Sequence, residues 1–187
     1  MTFDFINYPP AIPDLSSRPT AAMRIAGLLS SCAAIGAVCE SSRWLARRMA
    51  QAAGQTAAPI VELGAGYGSV TGLLPEASVS IERDAKRYAH LKTVFPERTI
   101  LNSCAIEFLN ELQRPTVVIS SIPSVNNPEF AALRASVGRV AKAGLVPTLI
   151  TYTYFPVNPF AGVFPKSEMI GCEVFNLPPA FVWRYSC

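Results

Sequence analysis

Val61-Glu62-Leu63-Gly64-Ala65-Gly66-Tyr67-Gly68 is the stretch on which the fold turns. The apolar run Pro59–Leu63 stops at alternating glycines, as a buried strand does when its chain must turn sharply. Glycine tolerates the backbone angles of such a turn and removes the side chain that would keep a ligand away from a helix N-terminus. The spacing is GxGxG; Ser69 stands where a dinucleotide fingerprint, GxGxxG, carries its last glycine. A lone GxG is common in proteins. Here it follows a strand, has Glu62 just before it, and precedes a second apolar run that closes on another acid, Glu82. A carboxylate at that point can accept two hydrogen bonds from vicinal ribose hydroxyls. The plainer alternatives are a tight turn and a solvated strand end.

Downstream of the loop the pattern alternates. Ser69–Leu74 predicts a short helix, Ala77–Glu82 a strand, and Asp84–Phe95 a helix with Tyr88, Leu91 and Phe95 on one side. Arg98–Asn102 reads as a strand, Ile106–Leu112 as a helix, Thr116–Ser121 as a strand, Pro128–Ala143 as a helix and Leu145–Tyr154 as a strand. Repeated units of this length predict a parallel sheet covered by helices on both faces. The end differs: Met169–Asn176, Leu177-Pro178-Pro179 and Ala180–Tyr185 read as an antiparallel hairpin. The expectation is an α/β fold with a mostly parallel seven-stranded sheet.

Upstream, residues 1–20 are proline-rich and read as an extended arm, followed by a helix over Thr20–Ala34. A second helix opens at Ser41 or Ser42 as N-cap. In it Trp44, Leu45, Arg48 and Met49 recur at helical spacing, while Arg43, Arg47 and Arg48 make one side basic. A solvated basic face is the first reading of those arginines and a lipid-contacting face the second. Residues 1–57 are therefore expected to be an arm with helices that contact a membrane or substrate. Residues 58–187 are expected to be the core, the two parts forming one compact domain.

At 187 residues, half of them apolar and 16% charged, the chain can enclose a core, and composition excludes intrinsic disorder. Sixteen basic against 13 acidic residues leave +3, short of the dense basic face of a dedicated nucleic-acid binder. The five cysteines (Cys32, Cys39, Cys104, Cys172, Cys187) form no CxxC pair, and His90 has no companion, so no metal site is expected. Reduced cysteines and a start that lacks the basic and apolar regions of a secretory signal predict a cytoplasmic protein. Ala21–Cys39 approaches the length of a bilayer span, but Arg24, Ser30 and Ser31 interrupt it and Ala and Gly dominate. It reads as a buried or surface-lying helix followed by a loop.

With these residues placed, the chain resembles the Rossmann-like class I S-adenosylmethionine (SAM)-dependent methyltransferases. Within them it is most similar to the bacterial phospholipid N-methyltransferase family, relatives of the rRNA adenine dimethylases. The resemblance runs from about residue 24 onward. It rests on Gly36-Ala37-Val38-Cys39-Glu40-Ser41-Ser42-Arg43-Trp44-Leu45-Ala46-Arg47, similar to a GAV-x-PSS-x-x-LAR segment. Val61–Gly68, Ile81-Glu82, Ser120-Ser121-Ile122-Pro123 and Thr151-Tyr152-Thr153-Tyr154 continue it. Its most specific part is Asn176-Leu177-Pro178-Pro179-Ala180-Phe181-Val182-Trp183-Arg184-Tyr185, which resembles an N-x-PPA-x-VW-x-Y terminus.

The resemblance implies SAM as cofactor, held by Glu62, Gly64, Ala65, Gly66, Gly68, Glu82, Arg83, Cys104, Ala105 and Ser120. It implies a catalytic set of Tyr152, Tyr154 and Ser121, with Ser121 to Pro123 as the floor beneath the sulfonium. The implied substrate is the amine of phosphatidylethanolamine or a related phospholipid, met at a membrane surface. Phe3, Phe5, Ile6, Tyr8, Met23, Ile25, Leu28 and Leu29 would touch that membrane or cap the sheet. Adenine methylases carry an aromatic residue after their Asn-Pro-Pro or Asn-Leu-Pro to stack the flipped base. Ser124 stands there instead, so nucleic acid is disfavoured. Other departures are Cys104 for the usual Asp at the adenine amino group, Glu40 for Pro and Thr151 for Gln. Two rivals remain: methylation of another amine or an rRNA adenine, and a decayed SAM-binding domain without catalysis.

Overall fold

The computed structural model describes residues 42–187 apart from Gln55 and Leu177. The predicted arm, the helix over Thr20–Ala34 and the apolar stretch Ala21–Cys39 lie outside the described residues. All described residues belong to one compact unit of the chain, Ala37–Cys187.

Helix α1 (Arg43–Ala53) starts where the sequence caps it: Ser42 Oγ accepts the Leu45 N–H at 3.3 Å. Strand β1 (Ile60–Leu63), a 3₁₀ turn (Thr71–Leu73) and β2 (Val79–Ile81) follow. Helix α2 (Ala85–Val94) is capped by Asp84, whose carboxylate accepts the Arg87 N–H at 2.9 Å. Then come β3 (Thr99–Leu101), α3 (Ala105–Asn110), β4 (Val117–Ser120), α4 (Phe130–Lys142) and β5 (Thr148–Thr153). The hairpin β6 (Lys166–Glu173) and β7 (Ala180–Ser186) ends the series.

The strands form one seven-stranded sheet in the order β3-β2-β1-β4-β5-β7-β6. β1 to β5 are parallel; β7 enters antiparallel between β5 and β6. The sheet is thus mixed, as the sequence pattern predicts. Side chains alternate strictly across it. Val61, Leu63, Val118 and Leu149 face one core with Leu109 of α3 and Leu133, Val137 and Val140 of α4. Ile60, Val117, Ile119 and Ile150 face the other with Leu45, Ala46 and Met49 of α1. Each such fully buried Leu or Met contributes roughly 1.5–3 kcal/mol.

Two elements differ from the sequence expectation. The helix predicted over Ser69–Leu74 is only the 3₁₀ turn, because Gly72 weakens a helix and Pro75 forces Leu74 into extended backbone. β6 begins at Lys166, before the predicted Met169, because Lys166-Ser167-Glu168 is a solvent-facing edge whose polar side chains hide its pairing with β7. The proline-rich connection from β5 to β6 holds turns and no helix. Phe160 and Phe164 fill that side instead, packed on Tyr185 at centroid distances of 5.6 and 5.5 Å. Among the described residues no helix is long and apolar enough to cross a membrane.

Candidate cofactor site

β1 has β2 on one side and β4 on the other. The chain beyond their C-terminal ends therefore parts into a crevice at β1, the place where open α/β sheets bind ligands. The glycine loop follows β1 directly at that point. Gly64, Gly66 and Gly68 all have positive φ (74°, 60° and 93°). A Cβ on Gly64 would come within 2.7 Å of Ile122 Cγ1, so this glycine lets the loop pack against the chain that leaves β4. Around Gly66 a Cβ would meet nothing within 4 Å, which leaves its backbone open on the crevice side.

The loop is anchored to β2. Ile81 O accepts the N–H groups of both Gly64 (2.9 Å) and Ala65 (3.0 Å). Glu82, 4% exposed, reaches the loop itself: its Oε2 accepts the Gly66 N–H at 2.8 Å and its Oε1 the Asp84 N–H at 2.8 Å. Arg87 adds a longer ion pair at 3.9 Å. Asn102 steadies this strand end by donating to the carbonyls of Glu82 (2.9 Å) and Arg83 (3.0 Å). The Arg83 guanidinium pairs with Glu129 at the start of α4, so an ion pair joins the β2 side of the crevice to the β4 side.

Glu62 takes a different position. Its side chain lies under the loop, fully buried, where Oε2 accepts the hydroxyls of Thr71 (2.6 Å) and Ser80 (2.7 Å). Oε1 is buried without a hydrogen-bond partner, and burial pushes the carboxyl up from 4.5 to about 7. Here Glu62 ties the loop's far end to β2 rather than facing the crevice. Thr71, Ser80 and Asn102 escaped notice in the sequence, since lone hydroxyls and amides carry no motif. Only the parallel pairing of Glu62 with Ser80 brings the two together.

At β4, Ser120 is buried; its Oγ accepts the Ile122 N–H at 3.4 Å and its carbonyl accepts the Thr151 hydroxyl at 3.0 Å. Ser121 Oγ is buried with no partner in the structure. Cys104 caps α3 without a side-chain bond, and Ala105 is in the core. Tyr152 lies within the α1-side core, with Tyr154 against it at a centroid distance of 5.5 Å. The glycine loop, Glu82, Arg83, Ser120 and Ser121 thus share one edge of the sheet. Cys104 and Ala105 follow β3 at that edge, whereas Tyr152 is directed into a core. Among the described residues no His, Cys, Asp and Glu side chains cluster as a metal site.

Comparison of the sequence with protein-family models finds no match, and comparison with curated proteins finds none. Solved structures do match. The 23S rRNA methyltransferase ErmE superposes with a TM-score of 0.59 at 18% identity, over 78% of this chain and 68% of that one. A dimethyladenosine transferase from Plasmodium falciparum gives 0.56 at 15% identity, over 76% of this chain and 61% of that one. TrmN from Thermus thermophilus gives 0.59 at 15%, over 78% of this chain and 49% of that one. The chain thus spans less than two-thirds of the latter two. At these identities the likeness is one of fold.

Proposed function

We propose that the chain is a SAM-dependent N-methyltransferase whose acceptor is the amine of phosphatidylethanolamine or a related phospholipid. One observation carries the cofactor assignment: Glu82, buried at the end of β2, aims its carboxylate at the open backbone of Gly66 in the crevice. That carboxylate suits a vicinal diol, and the glycine backbone suits the close approach of the rest of the ligand. Arg83, Cys104 and Ala105 would flank the base, and the Gly64–Gly68 loop would hold the remainder. The unpartnered Ser121 Oγ suits a polar group at the crevice floor.

When bound, SAM supplies an electrophilic methyl group on sulfur. The chain's part is then to align the acceptor. An ammonium near neutral pH must lose a proton to water before its lone pair can attack, and Ser121 can then accept a hydrogen bond from the neutral amine and hold it at the crevice floor. Tyr154 would hold the headgroup, its ring suited to a methylated cation. Alignment at near-attack distance is the larger catalytic effect.

The lipid acceptor is supported by the resemblance of the segments at 36–47 and 176–185 and by Ser124 at the place of a base-stacking aromatic. An RNA adenine is the second reading, because two matched structures are an rRNA methyltransferase and a dimethyladenosine transferase. The test is calorimetric titration of SAM and its demethylated product, followed by labelled methyl transfer to phosphatidylethanolamine vesicles and to RNA. Binding lost in Glu82→Ala, with label in lipid, is the expected result. Folded protein that binds neither ligand would overturn the enzyme reading; label in RNA alone would replace the acceptor.

A further inference from the structure

The turn between β6 and β7 shows apolar side chains where turns ordinarily show polar ones. Phe175 is 77% exposed and Val174 64%. Trp44, 43% exposed on the first turn of α1, meets Phe175 at a centroid distance of 6.3 Å. Arg43 and Arg47 bracket the indole, their guanidinium carbons 4.9 and 5.8 Å from the ring centroid. Neither arginine has an acidic partner among the described residues. Single exposed apolar residues are ordinary on protein surfaces; a contiguous group edged by unpaired cations marks an interaction surface.

The group is held in place. Asn176 Oδ1 accepts the Ser42 N–H at 2.9 Å, and its Nδ2 donates to the Pro178 carbonyl at 2.7 Å. Arg48 pairs with Glu173 at the end of β6, leaving Arg43 and Arg47 without an acidic partner among the described residues. These bonds lock the start of α1 to the hairpin turn, so Trp44 and Phe175 stay side by side. The pairing of Thr153 with Phe181 and of Glu173 with Ala180 sets this turn beyond the C-terminal end of β5. That is the sheet edge on which the glycine loop, Glu82 and Ser121 also lie.

We propose that Trp44, Val174 and Phe175, with Arg43 and Arg47, form a docking surface for an anionic lipid bilayer. Indole and phenyl rings belong at the headgroup level, where one end is apolar and the other wet. Valine has no ring to stack on a base, but it gains from insertion among acyl chains. The guanidinium groups meet the negative surface potential of the leaflet, each strengthening binding roughly fivefold. Docking in this orientation turns the catalytic edge toward the headgroups. That consequence rests on the lipid-amine reading of the acceptor; the docking itself does not.

The experiment compares the full chain with Trp44→Ala/Phe175→Ala and Arg43→Gln/Arg47→Gln variants by co-flotation. Vesicles are phosphatidylcholine alone or with phosphatidylglycerol. The wild type is expected to float with the anionic vesicles and not with the neutral ones. The aromatic variant should lose that binding at least tenfold and the arginine variant more than tenfold, with calorimetric SAM binding unchanged in both as the check on folding. Equal flotation of the aromatic variant, or a wild type that stays in solution, would overturn the proposal. So would a Trp44-dependent dimer in light scattering, or a Trp44-dependent RNA complex without flotation. Methyl transfer to short-chain, monomeric phosphatidylethanolamine separates the two claims. Its absence in protein that floats defeats the acceptor reading alone; its presence in protein that does not float defeats the docking alone.

Discussion

Glu62 and Glu82 show how two acids one strand apart are given different work. Both were legible as acids flanking a glycine loop, and the resemblance implied that both hold the cofactor. Which way each side chain turns depends on strand alternation, and β1 sends Glu62 beneath the loop beside Thr71 and Ser80. Its carboxyl is raised to about 7 by burial, above its unfolded value. A raised acid binds its proton more tightly in the folded state, so its stabilisation is complete below pH 4.5 and lost as pH rises through about 7. Glu62→Gln keeps an oxygen to accept both hydroxyls and should remove this dependence. Thermal melts from pH 4 to 8 are expected to show a flatter profile and a more stable variant at the alkaline end; identical slopes would mean the carboxyl does not titrate in this window. Cys104 offers a second check at this scale. Its thiol makes no cap bond at α3, and a carboxylate in its place would supply a charge-assisted hydrogen bond worth about 1.5–3 kcal/mol. Cys104→Asp should therefore tighten SAM binding by roughly tenfold or more. Unchanged affinity in a calorimeter would count against a decayed adenine pocket.

Among the elements, α1 and the hairpin depend on one amide. Asn176, 3% exposed, bonds both the Ser42 N–H and the Pro178 carbonyl. Asn176→Ala leaves both groups unpaired and is expected to cost about 2–4 kcal/mol, read as a lower urea midpoint with an unchanged slope. Helix starts were the readable part: Ser42 caps α1 as its side chain predicts, and α2 starts at the predicted Asp84, which the structure shows to be its cap. The buried stripe of α1 was half readable. Leu45 and Met49 are fully buried, whereas Trp44, at the same helical spacing, stands at the surface beside Phe175. Spacing fixes a direction around the axis but not how far the hairpin will reach to cover it. The edge strand β6 was the least readable, since a strand paired on one side only needs no alternating apolar face.

Across the described residues the sheet is covered on both faces, Val61 and Leu63 turning to one and Ile60 to the other, and the repeated strand–helix units were enough to foresee helices on both. The β5–β6 side is closed by Phe160, 1% exposed between Phe130 and Tyr185. No periodicity announces such a plug, because it comes from an irregular loop. Phe160→Ala should cost about 3–5 kcal/mol, measured by chemical denaturation, and a cost under about 1 kcal/mol would show that the loop collapses to refill the space.

β7 makes closure of the sheet wait on one segment. The last strand in sequence lies inside the sheet, hydrogen-bonded to β5 on one side and β6 on the other. Until residues 180–186 pair, β5 has no partner on that side and β6 has no partner in the sheet. A chain cut short of Ala180 would expose the β5 edge as a template for pairing with another chain.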